Sequence, residues 1–117
     1  MANIQFKGVH KSFGSNKIIS NFNLDGKEDE FLVLVGPSGC GKSTLLRMIA
    51  GLEKIDDGEI FINDQKINEL HPSKRHTAMV FQSYALYPHM NVFENMSFGL
   101  KIEKRPKEEI LSKVTEA

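Results

Sequence analysis

The sequence predicts an α/β fold, with a partial parallel sheet around residues 31–35, a small antiparallel β-layer before it and the beginning of a helical arm after it. Two observations favour this fold. Residues 31–35 are an unbroken apolar run, which is typical of a strand buried on both faces. A glycine-rich loop and a run with apolar residues at helical spacing follow directly, so that strand, loop and helix succeed one another.

The antiparallel β-layer is predicted from residues that alternate between polar and apolar before the loop. Ile4 and Phe6 alternate with polar neighbours in a first strand, and Ile18 and Phe22 do so in a second. The segment between them, residues 8–16, is interpreted as a connection, and a charged turn then leads into the apolar run. The layer therefore precedes the predicted parallel sheet.

The loop after the apolar run fits the phosphate-binding pattern G-x-x-x-x-G-K-[ST]. Its glycines let the backbone turn tightly and bring N–H groups close to phosphate oxygens. The start of the following helix adds unpaired N–H donors and the positive end of the helix dipole. This phosphate loop consists of Gly36, Pro37, Ser38, Gly39, Cys40, Gly41, Lys42, Ser43 and Thr44.

Lys42 and the two hydroxyl residues after it suit the chemistry of a nucleoside triphosphate. Lys42 supplies a flexible cation for the β- and γ-phosphates, and the Ser43 hydroxyl is able to ligate Mg²⁺. Thr44 is placed to donate to an oxygen of the α-phosphate. These residue types predict a nucleoside triphosphate and Mg²⁺ as the ligands of the loop.

Composition limits the possible partners. Lysine plus arginine and aspartate plus glutamate each number 15, so the net charge is zero and no basic patch indicates a nucleic-acid partner. Cys40 is the single cysteine, which excludes an internal disulfide and fits a reducing compartment; we interpret it as a small filler of the loop. Neither a signal peptide nor a credible membrane span is found, so we expect a soluble chain that another subunit holds at any membrane it serves.

The second half of the chain predicts a hairpin, a short strand and two helices. The hairpin turns at residues 63–64, and the strand covers residues 78–81. Asn91 is the expected cap of the first helix, with Glu94 completing a capping box. The second helix begins after Pro106 and carries acidic residues in its first turn.

Three further features bear on function, and each has a plainer alternative. Phe13 lies in a loop beside the β-layer, where it would either stack on a nucleotide base or fill a minor part of the core. Gln82 follows a strand and would either bind Mg²⁺ and orient water beside a γ-phosphate or serve as an ordinary turn residue. Residues 84–90 are uncharged and aromatic, so they would form either a surface for a protein partner or a loop folded back on its own core.

From Ile4 to about Lys101 the sequence resembles the ATPase subunit of an ATP-binding-cassette (ABC) transporter, a P-loop NTPase with a RecA-like sheet. Beyond the phosphate loop, the resemblance rests on residues 57–60, 79–90 and 91–96. The last two segments are closely similar to importer ATPases of the maltose and glycerol-phosphate type. The resemblance implies that the nucleotide is ATP, and that its hydrolysis drives the import of a carbohydrate or a related solute.

The resemblance also implies roles for individual residues. Lys42 and Gln82 correspond to catalytic positions, and Gln82 to the family's Q-loop glutamine, which shares Mg²⁺ with Ser43. Phe13 aligns with a base-stacking aromatic that is usually Tyr or Trp in the family. Residues 84–90, from tyrosine to methionine, correspond to the surface that docks the membrane-spanning permease subunits. The family works as a head-to-tail pair of ATPase subunits, peripheral to the cytoplasmic face of the plasma (inner) membrane.

The second half of the family's ATPase domain is missing from the sequence. No Leu-Ser-Gly-Gly-Gln signature, Walker B strand or switch histidine follows, and Asp64 lies too close to Lys42 to be the Walker B residue. We therefore expect residues 1–117 to be the N-terminal part of one nucleotide-binding domain, which hydrolyses ATP at full length and is inactive as this piece alone. Two alternatives stay open: another P-loop kinase or GTPase, and a non-catalytic module that docks a membrane subunit.

Overall fold

A computed structural model describes residues 2–117 as two compact units, which divide between Met79 and Val80. The first unit contains the strands and the helix that follows the phosphate loop, and the second contains the two C-terminal helices. The elements are β1 (Ile4–Phe13), β2 (Asn16–Asp25), α1 (Lys42–Ala50), β3 (Asp57–Ile62), β4 (Gln65–Lys66), a 3₁₀ turn at Pro72–Lys74, α2 (Val92–Ile102) and α3 (Lys107–Glu116).

The four strands form one antiparallel sheet in the order β2-β1-β3-β4. The expected antiparallel layer is thereby confirmed. The expected connection at residues 8–16 is wrong, because β1 continues to Phe13 and only a two-residue turn separates it from β2. The alternation of polar and apolar residues does not predict the full length of this strand, because the charged Lys11 occupies a buried position. Bulges also interrupt the register between β1 and β2, which breaks the period of two.

The core of the first unit lies between this sheet and α1. Phe6 of β1 packs edge-to-face on Phe22 of β2, with ring centroids 5.2 Å apart. Leu45 and Met48 lie three residues apart on one face of α1 and are both buried, as expected for an amphipathic helix that packs on a sheet. The buried cluster consists of Phe6, Val9, Ile19, Leu45, Met48, Ile60 and Ile67.

The partial parallel sheet expected around residues 31–35 is not formed within the described chain. Leu34 lines an apolar cavity of 90 Å³ between β1, β2 and α1, whereas Phe31 and Val35 are 91% and 89% exposed. Neither this segment nor the expected strand at residues 78–81 belongs to a sheet. A strand needs neighbours for its backbone N–H and C=O groups, and no segment within residues 2–117 pairs with either of these two.

The other local predictions are confirmed. β3 and β4 pair across residues 63–64, and both turn residues adopt positive φ, as a tight hairpin turn requires. The Asn91 side chain accepts from the N–H of Glu94 at 2.8 Å, and the Glu94 carboxylate accepts from the N–H of Asn91 at 3.2 Å, which completes the capping box of α2. α3 follows Pro106 directly. No helix within residues 2–117 combines the length and the apolar character needed to cross a bilayer.

Arg75 closes the C-terminus of α1 from a buried position. Its guanidinium donates to the carbonyls of Met48 at 2.8 Å, Ile49 at 3.3 Å and Leu70 at 2.9 Å, and so adds donors at the helix end, where, among residues 2–117, only the N–H of Gly51 otherwise reaches the Met48 carbonyl. Gly51 ends the helix with a φ of 83°, and a Cβ there would lie 2.9 Å from the guanidinium carbon. Burial lowers the pKa of the Arg75 guanidinium, and the Glu69 carboxylate partly offsets this effect.

Replacing Arg75 should destabilise the first unit. In the Arg75→Met variant the carbonyls of Met48 and Ile49 lose the guanidinium as a donor while they stay shielded from water, so we expect the free energy of unfolding to fall by about 2–4 kcal/mol. Urea unfolding followed by circular dichroism measures the change. Arg47→Met is the matched control: Arg47 lies on the exposed face of the same helix, and its loss should cost less than about 1 kcal/mol. Equal losses for the two variants would show that Arg75 does not close the helix.

Candidate nucleotide-binding site

The phosphate loop turns tightly before α1. The N–H of Cys40 donates to the carbonyl of Pro37 at 3.3 Å, and Gly39 and Gly41 adopt φ values of 80° and 101°, which favour glycine. Gly41 is also buried, and a Cβ there would lie 3.0 Å from Cγ2 of Ile18 in β2. The loop therefore requires glycine at this position for its backbone conformation and for its close approach to the sheet.

α1 begins without a side-chain cap. Gly41 occupies the N-cap position, and no acidic residue lies in the first turn. The N–H of Leu45 donates to the Gly41 carbonyl at 2.9 Å, which starts the hydrogen-bond series of the helix. The N–H groups of Lys42, Ser43 and Thr44 are therefore left at the open helix end, together with the positive end of the helix dipole. A helix end of this kind binds anions.

Lys42 reaches back across the loop that precedes it. Its ammonium donates to the carbonyl of Gly36, and the side chain of Ser43 is exposed next to it in the chain. Amide donors, an ammonium and a hydroxyl form a donor set that fits a phosphate chain carrying Mg²⁺. Within residues 2–117, no group of three or more His, Cys, Asp and Glu side chains is arranged to hold a metal ion.

A cavity of 270 Å³ opens beside the phosphate loop and reaches the first hairpin. It is lined by Cys40 and Lys42 on one side and by Ile18 and Ser20 of β2 on the other. The Cys40 thiol is exposed, and its sulfur lies where a Cβ on Gly36 would come within 2.6 Å. This position agrees with the interpretation of Cys40 as a filler of the loop. The cavity connects the phosphate loop to the hairpin that carries Phe13.

Phe13 ends β1 and is not part of the buried core. The residue is 47% exposed, which argues against the interpretation as a core aromatic and leaves the ring accessible to a base. The ammonium of Lys11, two residues earlier on the same strand, lies 5.0 Å from the ring centroid. Sequence reasoning did not single out Lys11. The available signal was its spacing from Phe13, because residues i and i+2 of a strand share one face.

Gln82 and residues 84–90 belong to the second unit. Gln82 is exposed, and its assignment to Mg²⁺ stays a prediction. Tyr87 joins its loop to α2: its N–H donates to Oδ1 of Asn95 at 2.8 Å, and its ring lies 4.6 Å from that of Phe98. Tyr84 is 73% exposed. The loop is therefore anchored through one aromatic residue and presents another to solvent.

A model of the ABC transporter family matches residues 19–117. The chain belongs to this family. The match contains α1, the capped helix α2, α3, the strands β3 and β4, and β2 from residue 19 onward. It begins within β2, so that Phe13 and Lys11 lie outside it.

Curated members of the ABC transporter family resemble nearly the whole chain. The chain is 55% identical over 118 residues to the sn-glycerol-3-phosphate import ATP-binding protein UgpC of Bordetella avium. This alignment covers 100% of the chain and 33% of UgpC. It is 58% identical over 110 residues to the alpha-glucoside transport ATP-binding protein AglK of Rhizobium meliloti, and this alignment covers 94% of the chain and 30% of AglK. It is 56% identical over 117 residues to the maltose/maltodextrin import ATP-binding protein MalK of Aliivibrio fischeri, and this alignment covers 100% of the chain and 32% of MalK. The chain thus spans about a third of the length of these relatives.

Solved ABC cassettes share the fold. The dimeric post-hydrolysis structure of the ATP-binding cassette MJ0796, bound to ADP and Pi, matches with a TM-score of 0.81 at 32% identity. The match covers 97% of this chain and 54% of that one. A second dimeric structure of MJ0796 gives a TM-score of 0.82 with the same coverage. The predicted α/β class is therefore confirmed, although its parallel strands are not paired within residues 2–117.

Proposed function

We propose that the chain binds ATP through the phosphate loop, as the N-terminal part of a nucleotide-binding domain that powers solute import. One observation carries the proposal: α1 has neither a side-chain cap nor an acidic residue in its first turn, directly after a loop crossed by the Lys42 ammonium. Phosphate oxygens would satisfy these unpaired amides and interact favourably with the helix dipole. The similarity to import ATP-binding proteins over the whole chain supports the choice of ATP.

The proposed roles follow from the chemistry of each side chain. The Lys42 ammonium would exchange the Gly36 carbonyl for the more strongly negative oxygens of the β- and γ-phosphates. Ser43 would offer its hydroxyl to Mg²⁺, which neutralises phosphate charge when it is bound. Thr44 would donate to the α-phosphate, and the ring of Phe13 would stack on adenine.

Phosphoryl transfer from ATP depends mainly on positioning and on stabilising the charge of the transferred group. In the proposed reaction, the loop amides and Lys42 would hold the γ-phosphate in position and stabilise the negative charge spread over its oxygens. Gln82 would bind Mg²⁺ and orient the attacking water. We assign no general base to residues 1–117, so we expect this piece alone to bind nucleotide weakly at best and to show no coupled hydrolysis. The unpaired segment at residues 31–35 would obtain its neighbouring strands from the remainder of the domain.

We further propose that residues 84–90 dock a membrane-spanning permease subunit at the cytoplasmic face of the plasma membrane. Tyr84 and Leu86 are 73% and 67% exposed, whereas Tyr87 fixes the loop to α2. Exposed apolar side chains on an anchored loop suit a protein partner. The names of UgpC, AglK and MalK favour a carbohydrate or a related solute as cargo. The dimers of MJ0796 favour a second ATPase subunit, and the resemblance to the family favours a head-to-tail arrangement of the pair.

Removing the Lys42 ammonium should weaken ATP binding. We expect the Lys42→Ala variant to bind ATP about tenfold to a hundredfold less tightly, because a hydrogen bond to a charged group is worth about 1.5–3 kcal/mol. Isothermal titration calorimetry of the full-length protein measures the affinity. Lys54→Ala removes an exposed lysine from the same unit, and this control should leave the affinity unchanged. An unchanged affinity in Lys42→Ala would refute the phosphate assignment.

Shortening an exposed apolar side chain in the docking loop should weaken permease binding. The Leu86→Ser variant removes apolar contact area without touching the anchor at Tyr87, so we expect at least about a fivefold loss of permease co-purified from detergent-solubilised membranes. Val92→Ser is the matched control, because Val92 is 76% exposed but lies outside the loop. If both variants retain the permease equally, residues 84–90 are not the docking surface. ATP binding to the two variants should stay the same.

A further inference from the structure

Lys11 is a buried cation with two carboxylate partners. The residue is 7% exposed, and its ammonium lies 3.2 Å from Oε1 of Glu53 and 3.5 Å from Oδ1 of Asp56. A charge in such a position is costly unless it is paired. Glu53 follows the end of α1 and Asp56 precedes β3. The three side chains therefore tie the C-terminal part of β1 to the connection between α1 and β3.

The same ammonium contacts the face of an aromatic ring. Its nitrogen lies 5.0 Å from the centroid of Phe13, within the range of a cation–π interaction. Asp56 also acts on the backbone next to this ring, because its Oδ2 accepts from the N–H of Ser12 at 2.7 Å. Phe13 is therefore held through its ring by Lys11 and through the preceding residue by Asp56. The residue nevertheless remains 47% exposed.

We propose that Lys11, held by Glu53 and Asp56, is a positioning residue that fixes the Phe13 ring for the adenine base. The ammonium covers one face of the ring, and adenine stacks on the other. This inference rests on the proposed function, in which Phe13 stacks on the base of ATP. It adds a requirement of its own: the strength of stacking depends on a charge that touches neither the nucleotide nor the phosphate loop.

The physical basis is preorganisation. A terminal phenyl ring at a strand end, next to a turn at residues 14–15, loses rotational freedom when a base stacks on it. Holding the ring beforehand reduces that loss and so increases affinity. The carboxylates fix the ammonium, and a fixed cation restrains the ring more than a solvated one would. The effect should concern the base alone, because the phosphates bind at the start of α1.

The test compares two probes, ATP and inorganic tripolyphosphate, which lacks the base. Affinities are measured by titration calorimetry on the full-length protein. The variants are Lys11→Met and Lys11→Arg, each made alone and each combined with Phe13→Ala. Methionine keeps the apolar stem without the charge, whereas arginine keeps a cation that is able to lie over the ring. Asp56→Asn serves as a second variant, because it retains an acceptor for Ser12 while it removes one charge beside Lys11.

We expect Lys11→Met to weaken ATP binding about threefold to tenfold and to leave tripolyphosphate binding unchanged. Lys11→Arg should restore ATP binding to within about twofold, and Lys11→Met should cause no further loss in the Phe13→Ala background. Asp56→Asn should also weaken the binding of ATP but not of tripolyphosphate, by a smaller factor than Lys11→Met. If Lys11→Met does not fold, the result for Asp56→Asn tests the inference in its place.

Three outcomes would overturn the inference: equal losses for the two probes, a loss that adds to that of Phe13→Ala, or no loss at all. Its failure is distinguishable from failure of the proposed function. If Lys42→Ala weakens both probes while Lys11→Met weakens neither, the phosphate site stands and the positioning role falls. If Lys42→Ala weakens neither probe, the proposed function itself fails.

Discussion

The unequal ends of α1 are the constraint on which the proposed site depends. At the C-terminal end, Arg75 donates to the carbonyl of Met48, so protein groups satisfy the helix there. At the N-terminal end, Gly41 provides no cap and no acidic residue balances the dipole. The packing of Leu45 and Met48 on the sheet holds the helix in place. The fold thus fixes an open set of amide donors rigidly, which is what recognition of an anion requires.

The first hairpin connects that helix end to the proposed base site. Ile18 of β2 lies against Gly41, and Phe13 stands at the other side of the same turn, at the end of β1. One sheet therefore supports both the phosphate loop and the aromatic ring. The buried ion pairs of Lys11 add a connection from this hairpin to the segment after α1. A nucleotide bound at both places would contact groups whose relative positions the core already sets.

The sequence predicted best the features that depend on neighbouring residues. The phosphate loop, the capping box at Asn91 and the turn at residues 63–64 are each determined within a few positions of the chain, and all three are present. Residues 31–35 are apolar enough for a buried strand, but a strand also needs partners, and the described part of the chain, residues 2–117, pairs none with this segment. The length of β1 was missed because the charge of Lys11 is balanced by carboxylates more than forty residues away. The place of Gln82 relative to the phosphates stays a prediction.

The backbone amides at the start of α1 offer the most direct test of the account. In a titration of the ¹⁵N-labelled protein with ATP and Mg²⁺, the amide protons of Lys42, Ser43 and Thr44 should move downfield and show the largest shifts in the spectrum, because they would form hydrogen bonds to phosphate oxygens. If these amide resonances stay in place while ATP shifts resonances elsewhere, the nucleotide does not bind at the open end of this helix, and the account is wrong.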